Sequence, residues 1–88
     1  MGEIERAAIV ADLHAANPLR FAECAQYADV LIEYRVATAN IEEHGLVVQH
    51  PRTLNPMVNP YIAIRNDALR KMQTFKVLKV DDVWIVEP

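Results

Sequence analysis

Apolar positions along the chain fall into stretches with helical spacing. Over residues 3–16, Ile4, Ala8, Ala11 and Ala15 recur three or four residues apart, which predicts a short amphipathic helix whose apolar side these residues form. Asn17 and Pro18 follow. Because Asn is a favoured N-cap and Pro suits the first helical position, this pair predicts that a second helix begins there.

The second helix is predicted over residues 17–45, with Gly45 as its C-cap. Its main apolar stripe has alternating spacings of three and four, as in a heptad seam: Cys24, Tyr27, Leu31, Tyr34, Thr38 and Ile41. A weaker second stripe contains Phe21, Ala25, Ala28, Ile32 and Ala39. Two stripes indicate that the helix is covered on two sides. A partner subunit is the favoured cover, and the chain's own short helices are the alternative.

Three prolines and two Asn-Pro pairs within residues 46–60 exclude a helix from this segment. Residues 46–59 are predicted as a Pro-rich loop, with a short extended piece over residues 46–49. Asn59 and Pro60 repeat the capping pair, so a third helix is predicted over residues 60–77. On a helical wheel Tyr61, Ile64, Ala68, Met72 and Phe75 share one face, and Arg65 and Lys76 fall between this face and a second apolar group.

The last residues, 78–88, are predicted to be strand-like, because β-branched and aromatic side chains are typical of strands: Val80, Val83, Trp84, Ile85 and Val86. The predicted fold is therefore mainly α: one small domain over residues 1–88, with a short N-terminal helix, an antiparallel helical hairpin, a Pro-rich loop and a strand-like tail.

Charge is distributed unevenly along the 88 residues, although the net charge is only −3. Residues 1–45 carry a net charge of −5, residues 46–80 a net charge of +5, and residues 81–88 a net charge of −3. Such asymmetry can mark a partner surface or reflect ordinary solvated helices.

A single cysteine rules out an internal disulfide and favours a reducing compartment. With neither a secretory signal nor a membrane-spanning apolar run, the sequence predicts an intracellular protein without a membrane partner.

No catalytic constellation can be assembled from the residues present. Glycines occur only at positions 2 and 45, which excludes a phosphate-binding loop, and the histidines and Cys24 fit no zinc spacing. The sequence therefore predicts no enzyme activity, no cofactor, no metal and no small-molecule substrate. Basic residues remain as the candidate chemistry, since they could contact nucleic-acid phosphates: Arg52, Arg65, Arg70, Lys71 and Lys76.

The order of these signals resembles the phage terminase small subunit family. The resemblance is carried by the helix that starts near Asn17-Pro18, the run Ile41-Glu42-Glu43-His44-Gly45-Leu46-Val47-Val48, the Pro51-Arg52 loop, and the Asn59-Pro60 start of a helix containing Ile64-Arg65-Asn66-Asp67-Ala68-Leu69. It covers about residues 19–76. It implies a protein of the host cytoplasm that takes part in packaging viral DNA.

The resemblance also implies partners. They are further copies of the chain in a ring, viral double-stranded DNA, and the large subunit that supplies the ATPase and the nuclease. The expected contacts between copies are the seam residues Tyr27, Leu31, Tyr34, Thr38 and Ile41. The alternative function is a helical protein-interaction module, such as a dimeric adaptor or a small phage regulator, that does not bind DNA.

Overall fold

The computed structural model describes residues 3–80, and the predicted tail over residues 81–88 lies outside this range. Within residues 3–80 there are three helices and two short strands, in this order: α1 Glu3–Ala16, α2 Phe21–His44, β1 Val47–Gln49, β2 Pro56–Val58 and α3 Tyr61–Gln73. The architecture is mainly α, as predicted, with α2 and α3 forming an antiparallel pair. The described residues 78–80 form no strand.

Helix α1 has the predicted bounds but buries a different face. Ile9, Val10 and Leu13 point into the core, whereas Ala8, Ala11 and Ala15 are exposed. The prediction that the alanine stripe forms the buried face of α1 was therefore wrong. Larger side chains remove more apolar surface from water than alanine does, so they determine which face is buried. Two ion pairs also join α1 to α2: Arg6 to Asp29 at 2.6 Å and Arg35 to Glu5 at 2.7 Å.

The heptad seam of α2 is covered by the chain itself. Cys24, Tyr27 and Leu31 are buried with residues of α1, with Met72 of α3, and with Leu78. Both short helices pack on α2, as the alternative reading of its two apolar stripes proposed. The two stripes therefore no longer require a partner subunit. In the second stripe Ala28 is buried, while Phe21 and Ala39 are exposed.

Helix α2 begins at Phe21, four residues after the predicted start at residue 17. Asn17 does not cap α2, because its Oδ1, the atom that would accept from a helix amide, accepts from the amide of Lys79 at 2.7 Å. Its Nδ2 donates to the carbonyl of Leu13 at 2.9 Å and to that of Lys79 at 2.8 Å. Residues 17–20 form a turn, closed by the amide of Arg20 donating to the carbonyl of Asn17. At the other end, Gly45 adopts φ +85°, a left-handed conformation that glycine tolerates best.

The predicted loop over residues 46–59 contains a β-hairpin. Strands β1 and β2 pair antiparallel, with Val47 opposite Val58 and Val48 opposite Met57. His50 orders the turn between them, since its Nδ1 accepts hydrogen bonds from the amides of Arg52 at 3.1 Å and Thr53 at 3.4 Å. Three-residue strands are shorter than the four to eight residues that a strand pattern needs, which is why the sequence indicated only one extended piece.

Asn59 joins the end of α2 to the start of α3. Its side-chain Oδ1 accepts from the amide of Tyr61 at 3.0 Å, which is the predicted capping interaction. Its Nδ2 donates to the carbonyl of Gly45 at 2.9 Å and to Oδ1 of Asn40 at 3.1 Å. The side chain is only 2% exposed. The loop is thus held against the helical pair by one asparagine.

Helix α3 ends at Gln73, four residues before the predicted end. The hydroxyl of Thr74 donates to the carbonyl of Lys71, and the amide of Phe75 to that of Met72, so the chain leaves the helix through tight turns. These turns place the ring of Phe75 edge-on to that of Tyr27, with centroids 5.7 Å apart, and bury Leu78 in the core.

Candidate nucleic-acid interface

The five predicted phosphate contacts do not converge on one site within the chain. Arg52 is exposed in the hairpin turn, before α3 begins, and Lys76 is exposed after α3 ends. A helix of 13 residues is about 20 Å long, so these two cations lie at opposite ends of α3. Arg65 and Arg70 are spaced around α3 rather than on one face. Any single DNA contact surface on one chain therefore uses only part of the set.

Arg65 lies on the side of α3 that faces α2. It is three residues before the buried Ala68 and seven before the buried Met72, which places all three on one face of the helix. Its side chain is half-buried. The wheel position between apolar groups is confirmed for Arg65, which is less accessible to an external ligand than the other four cations. It was wrong for Lys76, which lies beyond the end of α3 and is exposed.

The charge of Lys71 is partly compensated within α3. Its Nζ lies 3.1 Å from Oδ2 of Asp67, one helical turn earlier. The hydrogen bond and charge of Asp67, with a smaller contribution from the charge of Glu33, raise the pKa of the Lys71 ammonium group. A phosphate at this position would compete with a carboxylate already in place.

Arg70, Lys76 and Lys79 are exposed cations without such compensation. Within residues 3–80, none of them lies within 4 Å of a carboxylate. Lys79 was not among the predicted contacts, although residues 70–79 contain four cations and no acid. We call Arg70, Lys71, Lys76 and Lys79 the C-terminal basic segment.

Asn17 fixes the end of the C-terminal basic segment against α1. The amide of Lys79 donates to Oδ1 of Asn17 at 2.7 Å, and Nδ2 of Asn17 donates back to the carbonyl of Lys79 at 2.8 Å. Asn17 is 7% exposed, so little water competes for these bonds. Together with the buried Leu78, this clamp holds the backbone that carries Lys76 and Lys79. The pairing spans 62 residues of sequence, and no local pattern could have revealed it.

The model of the phage terminase small subunit family matches residues 5–78, which is most of the chain. The chain is a member of the phage terminase small subunit family. Comparisons with the curated proteins and with the solved structures give no match.

The family match includes all elements of the described fold. It begins in the first turn of α1 and ends at Leu78, so it takes in the hairpin and most of the C-terminal basic segment. Membership assigns the protein a role in phage DNA packaging and places it in a family that is generally non-catalytic. Within residues 3–80, no helix is long and apolar enough to cross a membrane, and no three candidate ligands group into a metal site.

The contacts between copies that the family resemblance implied fall mostly in the core of this terminase small subunit. Tyr27, Leu31 and Ile41 are buried within the single chain, and Leu31 has no exposed surface left for a second copy. Tyr34 and Thr38 are half-buried, so a neighbour could still reach them. The assignment of all five residues to an oligomer contact stays a prediction.

Proposed function

We propose that this protein forms a ring that recognises viral double-stranded DNA and presents it to the terminase large subunit in the host cytoplasm. The family match over residues 5–78 supports the terminase role. The exposed cations of the C-terminal basic segment, held in place by Asn17, support the DNA contact. The large subunit supplies ATP hydrolysis and DNA cleavage, and this chain supplies recognition.

Arg70, Lys76 and Lys79 are the proposed phosphate contacts. They are exposed, they have no carboxylate nearby within residues 3–80, and they lie at one end of α3. Each cation that neutralises a phosphate releases bound counterions, so DNA affinity falls as the salt concentration rises. Three contacts give weak binding for one chain. A ring repeats them in every copy, and the resulting avidity raises the affinity without new contacts.

Binding of a labelled DNA duplex, followed by fluorescence anisotropy at several salt concentrations, tests this proposal. The triple variant Arg70→Gln, Lys76→Gln, Lys79→Gln should bind more weakly. Its plot of log affinity against log salt should be shallower by about one unit per lost contact in each bound chain. The expected loss is independent of DNA sequence, because phosphate contacts carry no sequence information.

Arg6→Gln is the matched control. It makes the same kind of change, one positive charge for one glutamine, at an arginine whose carboxylate partner, Asp29, already lies 2.6 Å away. Its salt dependence should equal that of the unmodified protein. An unchanged slope in the triple variant would remove the basic segment from the DNA interface. A complete lack of DNA affinity in the unmodified protein at low salt would favour the helical interaction module instead.

A further inference from the structure

The β-hairpin exposes an apolar face that the chain does not cover. Val47 and Val58 lie directly opposite each other in the two strands, and they are 62% and 66% exposed. The neighbouring pair, Val48 and Met57, is half-buried. Leu46, next to Val47, is 59% exposed. Directly opposed side chains in a sheet touch each other, so the two valines form one continuous apolar surface.

The sheet that carries this surface is incomplete. It has two strands of three residues each, and within residues 3–80 neither strand pairs with anything else. Two-stranded sheets are marginal in water, and an open edge with exposed apolar side chains is a template for another chain. The hairpin therefore has both the surface and the unpaired backbone that an interface between protein chains needs.

Charged residues at the same end of the molecule indicate which protein chain binds the hairpin. Glu42 and Glu43 are exposed in the last turn of α2, and among residues 3–80 neither lies within 4 Å of a lysine or an arginine; the imidazole Nε2 of His44 lies 3.8 Å from Glu43. Arg52 is exposed in the hairpin turn, with no carboxylate within 4 Å among residues 3–80. In a closed ring all copies have the same polarity, so this end of one copy lies level with the same end of the next. The chain thus carries both halves of a complementary contact.

We infer that the hairpin is the contact between neighbouring copies of this chain. The next copy covers the Val47–Val58 pair, and Arg52 faces Glu42 and Glu43 of the neighbouring copy. This inference rests on the ring in the proposed function. It gives Arg52 a role between copies rather than on DNA, and it leaves the C-terminal basic segment, at the other end of α3, free for the duplex.

Native mass, measured by size exclusion with light scattering, tests whether a second copy covers the Val47–Val58 pair. Val58→Lys places a charge on an exposed position, which the fold of the single chain tolerates. It should raise the protein concentration needed for half-assembly by about tenfold or more, as expected for one well-buried interface residue. Leu19→Lys is the control, since Leu19 is 96% exposed and precedes the 24-residue helix α2, whereas the hairpin follows that helix. It should assemble like the unmodified protein, and far-ultraviolet circular dichroism should be unchanged in both variants.

Exchanging the charges tests the contact between Arg52 of one copy and Glu42 and Glu43 of the next. Arg52→Glu should weaken assembly, and adding Glu42→Lys with Glu43→Lys should restore it, because the attraction is then reversed rather than removed. A Val58→Lys variant that assembles normally would overturn the inference while leaving the ring and its DNA contact in place. So would a Val58→Lys ring that fails only to bind the large subunit, which would then be the occupant of this surface. An unmodified protein that is monomeric at every concentration would instead remove the ring itself.

Discussion

Replacing Asn59 with alanine tests how the hairpin is held to the helices. The change removes the cap on α3, which is worth about 1 kcal/mol. It also removes two donor contacts, to the carbonyl of Gly45 at 2.9 Å and to Oδ1 of Asn40 at 3.1 Å. Each contributes a net of about 0.5–1.5 kcal/mol, because water can reach the exposed Gly45 and the half-buried Asn40 once the side chain is gone. The expected loss of unfolding free energy is therefore about 2–4 kcal/mol.

Urea denaturation followed by circular dichroism measures this loss, at one fixed protein concentration because assembly also contributes to stability. Asn59→Asp tests the donor contacts separately, because an aspartate keeps the acceptor for the Tyr61 amide. It also buries a carboxylate against the carbonyl of Gly45 and Oδ1 of Asn40, so it should lose more unfolding free energy than Asn59→Ala although the cap is kept. Asn66→Ala is the control, since Asn66 is exposed on α3 and alanine favours a helix. If Asn59→Ala unfolds within 0.5 kcal/mol of the unmodified protein, roughly the level of a surface change, the reasoning about Asn59 is refuted.

Two further predictions concern single residues. Leu54 is 64% exposed and adopts φ 60°, so Leu54→Asn should stabilise the protein by about 0.5–1 kcal/mol in the same urea assay; a lower midpoint would contradict this. Burial, and then the charge of Glu23, raises the pKa of the Cys24 thiol, which lowers the thiolate fraction at pH 8. Cys24 should therefore react with a thiol reagent far more slowly in the folded protein than in urea, and equal rates would show that it is accessible.

Elements whose signals are local were predicted well. The same Asn-Pro pair occurs twice, and the comparison shows what sequence alone can decide. Asn59 caps α3 as expected, because its partner amide is two residues away. Asn17 does not cap α2, because its side chain bonds to Lys79, a residue 62 positions away. Capping propensity is a local preference, and a long-range pairing overrides it.

The candidate DNA-binding residues also could be predicted only where the signal is local in sequence. Clustered cations after position 64 were visible in the sequence, and the wheel placed Arg65 beside apolar residues, as the fold confirms. The wheel also placed Ile64 on the buried face, where it was wrong, since Ile64 is 45% exposed. The packing partner decides which edge of an apolar stripe is covered. Three-dimensional contacts decide which cations already have a carboxylate partner, as Lys71 has in Asp67. They also decide which segment of backbone is held in place, as Asn17 holds Lys79.

The central claim is that copies of this chain assemble and carry DNA together. Light scattering coupled to size exclusion, run on the protein alone and with a duplex added in low salt, tests it most directly. The expected result is one discrete assembly of many copies that gains the mass of the duplex. A monomer or dimer that stays unchanged when the duplex is added would contradict it.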